Sequence, residues 1–187
     1  MKLLYHSLSI LSASIDKLIA GIGKIAAWLS FSLVIVTCVV VMLRYGFGIG
    51  AIALQELAIY MFATLFMLGI AYTFARDGHV RVDVFYRHLD SHQKAWINIV
   101  GGLFFLLPSA FFLVLLSWDF AAQAWVNFEG SIEADGLPFV YLLKSLIPVC
   151  GALLFLQGLS NIIDNTLLLV GYTHTRVDQV ATDEVMV

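Results

Sequence analysis

Four long apolar stretches, each closed at both ends by a charged residue, constrain this chain more than any motif in it. Residues 25–43 lie uncharged between Lys24 and Arg44, 57–75 between Glu56 and Arg76, 95–118 between Lys94 and Asp119, and 145–163 between Lys144 and Asp164. A helix rising about 1.5 Å per residue needs roughly 20 mainly apolar residues to cross a hydrocarbon core of about 30 Å. Helices apolar on every face find no stable place in water at this length. The expected fold is therefore all-α: an integral membrane protein with spans at about 25–45, 55–75, 94–119 and 140–165.

Composition leaves little for anything else, with 61% of the 187 residues hydrophobic and only 12% charged. The polar connections, 76–94 and 127–136, are too short to hold a core of their own, so residues 25–171 read as one membrane domain. The net charge of −3 carries no basic stripe, which excludes nucleic acid as a partner. Cys38 and Cys150 fall inside the first and fourth spans, outside any Cys-x-x-Cys pair.

Orientation follows from the lysines and arginines. Lys2, Lys17, Lys24, Arg76, Arg81, Arg87, Lys94 and Arg176 fall on one side of the membrane, Arg44 and Lys144 on the other. Basic loops stay cytoplasmic, so both termini and the 76–94 loop are expected inside, and the 46–54 and 120–137 loops outside. Residues 1–24 repeat Leu4, Leu8, Leu11, Ile15, Leu18, Ile19 and Ile22 at intervals of three and four, with Ser7, Ser14 and Lys17 between them. That spacing predicts a separate amphipathic helix lying in the cytoplasmic interface, in contact with membrane lipids. Asp16 and Lys17 interrupt any signal-peptide core. The polar, acidic tail 172–187 reads as disordered.

Enzymes and carriers of this size place polar groups at mid-span, and the four uncharged stretches hold no charged residue there. His6, His79, His88, His92 and His174 all lie outside the spans, so a haem bundle lacks axial ligands. No zinc, disulfide-exchange or nucleophile-elbow motif is present. No catalytic, cofactor-binding or metal-binding residue is expected. The charges near the membrane cluster at its outer edge, where Arg44 is expected to pair with Glu56 and Asp119 with Lys144, both as structural ties. Pro108 and Pro148 sit inside spans and are expected to kink them or free carbonyls. The 76–85 stretch, with Arg76, Asp77, His79, Arg81 and Asp83, reads as a short interfacial segment whose arginines meet anionic headgroups.

Leu43-Arg44-Tyr45-Gly46-Phe47, Gln55-Glu56-Leu57-Ala58, Leu68-Gly69-Ile70-Ala71-Tyr72 and Arg76-Asp77-Gly78-His79-Val80-Arg81-Val82-Asp83 follow one another along the chain. In that order they resemble the small (DctQ-like) membrane subunit of TRAP transporters, the tripartite ATP-independent periplasmic carriers. Gly136-Leu137-Pro138, Leu143-Lys144-Ser145-Leu146-Ile147-Pro148 and Leu154-Phe155-Leu156-Gln157-Gly158-Leu159 extend the resemblance over roughly residues 27–171.

The resemblance implies a non-catalytic permease subunit of the bacterial inner membrane. It would scaffold a large elevator subunit that holds the substrate and sodium sites, in a symporter importing an organic anion (carboxylate, keto acid or sulfonate) delivered by a periplasmic binding protein. Arg44, Glu56, Arg76, His79, Arg81, Asp83, Asp119, Lys144 and Pro148 are then structural or subunit-interface candidates, and Glu129, Glu133 and Asp135 candidates for docking the binding protein. Small residues at Gly101-Gly102, Ser109-Ala110, Gly151-Ala152, Gly158 and Ser160 suit helix contact within the chain or with the partner. Two other readings stay open, a self-assembling four-helix transporter or channel with Glu56 facing a water path, and a four-helix membrane enzyme.

Overall fold

The computed structural model describes residues 2–79, 86 and 89–172. Arg81, Asp83 and the tail from residue 173 lie outside them. The described residues are helical, without strands, and form α1 (Lys2–Gly46), α2 (Ile52–Ala75), α3 (Ser91–Gly101), a π-helical turn (Gly102–Leu106), α4 (Leu107–Val126) and α5 (Val140–Leu169). Four rods, α1, α2, the continuous Ser91–Val126 unit and α5, are long and apolar enough to cross a membrane.

The expected break between an N-terminal arm and the first span is absent. α1 runs unbroken through 45 residues, about 67 Å at the α-helical rise. Its buried and half-buried positions include Leu8, Ser12, Ile15, Ile19, Ile22, Ala26, Leu29, Leu33, Val36, Val40 and Leu43. These alternate steps of three and four, the 3.5-residue period of left-handed helix packing. The apolar stripe that suggested an interfacial helix is thus divided. Leu8, Ile15, Ile19 and Ile22 turn toward the bundle, while Leu4, Leu11 and Leu18 face outward.

The π turn has a local cause. Pro108 has no N–H to give the carbonyl four residues back, a defect that α-helical spacing leaves open. A wider turn just before it shifts the register, and the Leu107 N–H donates to Gly102 O, five residues earlier. Pro148 is buried within α5, which continues past it.

Size sorting between inside and outside is reversed relative to a water-soluble protein. The buried set is rich in Ala26, Ala71, Ala95, Ala110, Ala121 and Ala124, whereas Trp28, Phe31, Phe104, Phe105, Leu116 and Trp118 stand exposed. Lipid tails solvate large apolar side chains as well as a protein interior does, so helices associate there through close backbone approach. α5 packs against α1, α2, α3 and α4 and is the most buried span. Gly151 lies under Val114 and the Ala110 carbonyl, Gly158 under Leu106 and Leu107, and Gly102 against Ile162. Of the small residues marked by sequence, these and Ser160 are spent inside the chain. Span hydroxyls such as Thr37, Thr64 and Ser117 donate to carbonyls of their own helix, so they need no partner elsewhere.

Gly23 lets α1 lie directly against α2, since a Cβ there would overlap the Tyr72 ring, while the space around Gly21 is open. Tyr72 carries the Arg76 guanidinium 5.7 Å from its ring centroid on the way out of α2. Gly23→Ala is expected to lower stability by about 1–3 kcal/mol through overpacking, and Gly21→Ala, in open space within the same helix, to leave it unchanged or raise it by up to about 1 kcal/mol. Thermal midpoints of the two purified variants in one detergent check this.

Candidate functional site: a polar seam and a braced loop

Two polar assemblies stand out against this apolar background, one at each end of the bundle. The first joins α1 to α5. Ser9, Ser12 and Asp16 recur at helical spacing on α1, and Gln157, Ser160, Asn161 and Asp164 do so on α5. Where the stripes meet, the Ser12 and Ser160 hydroxyls lie 2.9 Å apart. Ser12 donates to Asp164 Oδ1 at 2.5 Å, and Ser160 donates to Asp16 Oδ1 at 2.9 Å. Gln157 Nε2 donates to the same Asp16 oxygen at 3.0 Å. Gln157 and Ser160 are fully buried, and the Gln157 Oε1 atom has no hydrogen-bond partner among the described residues.

Seam contacts continue toward the chain ends. Asn98 on α3 donates to Asn165 Oδ1 at 3.3 Å and accepts from the Tyr86 hydroxyl at 3.2 Å. The Tyr5 and Tyr172 rings meet at 5.9 Å, so both ends of the described chain lie at this end of the bundle.

The seam sets a charge from outside the four uncharged stretches against one of them. Asp16, nine residues before the first uncharged stretch, is carried by α1 onto Gln157 and Ser160, which lie inside the fourth. Satisfied polar contacts between apolar helices fix register, because sliding α1 along α5 would leave buried donors and acceptors unpaired. Among the described residues no group of three or more His, Cys, Asp or Glu side chains is placed to hold a metal.

The second assembly is the 127–139 loop at the opposite end. α4 ends in a Schellman motif, with Glu129 N–H donating to Ala124 O at 3.0 Å and Phe128 N–H to Trp125 O at 3.3 Å. The left-handed position is filled by Phe128 (φ 44°) where glycine is usual. Two carboxylates brace the remainder of the loop. Glu56 on α2 accepts from the Leu137 N–H at 2.6 Å and, through its other oxygen, from the Ser131 hydroxyl. Glu129 takes both its oxygens to Lys144 Nζ, at 2.7 and 2.5 Å, and that ammonium sits 4.1 Å from the Phe120 ring centroid. Trp125 Nε1 donates to Ser145 at 2.7 Å and its ring packs on Tyr141.

The two ion pairs expected from sequence are therefore not formed. Arg44 is exposed, and Glu56, its expected partner, is turned to the loop. Asp119 is exposed, and Lys144 is taken by Glu129. Arg76 stacks on Tyr72, and the His79 ring lies 6.1 Å from that of Phe74. The three acidic loop residues separate, since Glu129 is an internal brace while Glu133 and Asp135 remain exposed.

The family model described as tripartite ATP-independent periplasmic transporters, DctQ component, matches residues 33–167. The chain belongs to the DctQ family. Searches of curated proteins and of solved structures return no match. The DctQ match reaches all four apolar rods, the α5 side of the seam as far as Asp164, and the braced loop. DctQ proteins are components of a transporter, not a family of enzymes, and this member is a multi-pass membrane protein.

Sequence reasoning missed Ser12, Asp16, Gln157 and Ser160 as a group. Complementary polar stripes at positions 9, 12, 16 and 157, 160, 164 were the available sign of it. Ser160→Ala removes a buried donor to Asp16 and is expected to destabilise the protein by about 1–2 kcal/mol. Ser109→Ala, at an exposed position, serves as the neutral comparison in the same thermal-unfolding measurement.

Proposed function

We propose that this DctQ protein is the static scaffold of a sodium-coupled importer of an organic anion. On this reading it sits in a bacterial inner membrane with both termini cytoplasmic, as its lysine and arginine distribution favours. It packs against a large elevator subunit that binds sodium and substrate, and a periplasmic binding protein delivers the substrate. The observation that carries the reading is the family match across all four rods. The interior of the described bundle supports it. Small residues fill the helix contacts, and the buried polar groups tie α1 to α5 and brace a loop, so the bundle is built to keep its shape.

Large apolar residues cover its outer faces, Trp28, Phe31 and Val34 on α1 and Phe104, Phe105 and Phe112 on the third rod. Lipid and a large hydrophobic partner both suit such faces. The loop from Arg76 meets anionic lipid headgroups on the cytoplasmic side.

Affinity purification of this chain from its native membrane in mild detergent, followed by mass spectrometry, tests the scaffold role. A stoichiometric large hydrophobic subunit is expected. Recovery of a homo-oligomer alone would overturn the proposal. Glu56→Ala, which unties the 127–139 loop from α2, is expected to lower the yield of assembled complex severalfold without changing substrate preference. Arg44→Ala, at a site with no contact to Glu56, is expected to leave that yield unchanged.

A further inference from the structure

The tip of the 127–139 loop combines three properties that its bracing alone does not require. Ile132 is fully exposed, at 103% of its reference accessible area. Glu133 and Asp135, one and three residues on, are exposed, and neither carboxylate finds a partner among the described residues. The backbone beneath them is fixed. The Ser131 N–H donates to Leu137 O at 3.0 Å, the Gly136 N–H to Glu133 O at 3.1 Å, and the Glu133 N–H to the Ser131 hydroxyl at 3.1 Å. Glu56 grips Ser131 and Leu137, and Lys144 grips Glu129. A loop held in this way gives up little conformational freedom when something binds it.

Charge selects the kind of occupant. The described residues at this end carry Glu56, Asp119, Glu129, Glu133 and Asp135 against Arg44 and Lys144, an excess of three negative charges (2 − 5 = −3). Dipping Ile132 into the bilayer would drag two unpaired carboxylates toward anionic headgroups and then hydrocarbon, which is unfavourable at both depths. A soluble protein with an apolar depression rimmed by lysine or arginine meets no such penalty, and its cations would find acidic partners that are not already occupied.

We infer that Ile132, flanked by Glu133 and Asp135 on the loop braced by Glu56 and Lys144, is a docking knob for a soluble partner with a basic-rimmed apolar depression. Resting on the transporter reading above, that partner is the periplasmic binding protein. Glu129, expected from sequence to share in docking, instead holds the knob's base.

The test uses the complete membrane complex, purified through this chain and placed in lipid nanodiscs. It is titrated by biolayer interferometry with the purified periplasmic binding protein of the same transporter. Ile132→Asp is expected to weaken binding about tenfold or more, as for a buried anchor at an interface centre. The double variant Glu133→Gln/Asp135→Asn keeps the loop's shape. It is expected to bind severalfold more weakly at low salt and to match the parent at high salt, where exposed charges are screened. Co-purification of the large subunit with each variant separates lost docking from lost folding.

Parent-like binding by both variants, within twofold at every salt concentration, would overturn the knob while leaving the scaffold role standing. Strong quenching of Ile132→Trp fluorescence by brominated lipids would overturn it in favour of membrane insertion. Absence of both a co-purifying large subunit and any binding by the parent complex would remove the transporter reading and this inference together.

Discussion

Helices in an apolar solvent gain nothing from hiding apolar surface from one another, and this structure is organised around what replaces that gain. The substitute is close backbone approach, concentrated on α5. Gly151 and Gly158 admit α4 and the π turn, Ser160 admits α1, and Leu153 meets Ile15, Ile19 and Ala71 of α1 and α2. Every other rod touches α5. A substitution on its inner faces disturbs several helix pairs, whereas one on the exposed face of α1 or α4 alters only what surrounds the bundle.

Polar contacts then provide the specificity that close packing lacks. Small residues allow helices to slide, because one smooth contact resembles the next. The Ser12–Ser160 and Asp16–Gln157 contacts have one satisfactory register, and so do the Glu56 and Lys144 grips on the 127–139 loop at the other end. The first set lies where the ends of the described chain meet, the second where its long loop turns back. Between them the middle of each span is left to apolar packing.

The spans, their number and the all-helical class were legible because they depend on local composition and length alone. The family was legible for the same reason, carried by short segments in fixed order such as Gln55-Glu56 and Leu143-Lys144. Pairing of charges was not. Arg44 and Glu56 stand at matching depths, as do Asp119 and Lys144, but depth fixes only one coordinate. Rotation about each helix axis decided the outcome, pointing Glu56 at Ser131 and Leu137 and leaving Lys144 within reach of Glu129. The continuity of α1 was hidden differently. Lys24 resembles a boundary because it is charged, yet Lys is a good helix former, and an exposed side chain at that position breaks nothing. Asp16 was misplaced for the same reason, since its position in the bundle follows only once α1 is known to be one helix.

The unbroken length of α1 bears on the bilayer itself. At about 67 Å it is more than twice the hydrocarbon thickness. Its uncharged stretch, residues 25–43, accounts for about 28 Å of that, and the residues before it include Asp16, Lys17 and Lys24. That first half continues the same helix and is fastened to α5 through Ser12 and Asp16 and to α2 through Gly23, so it can neither hinge away from the span nor lie flat on the membrane surface. Whatever meets this end of the bundle meets a rigid helical post rather than a jointed arm.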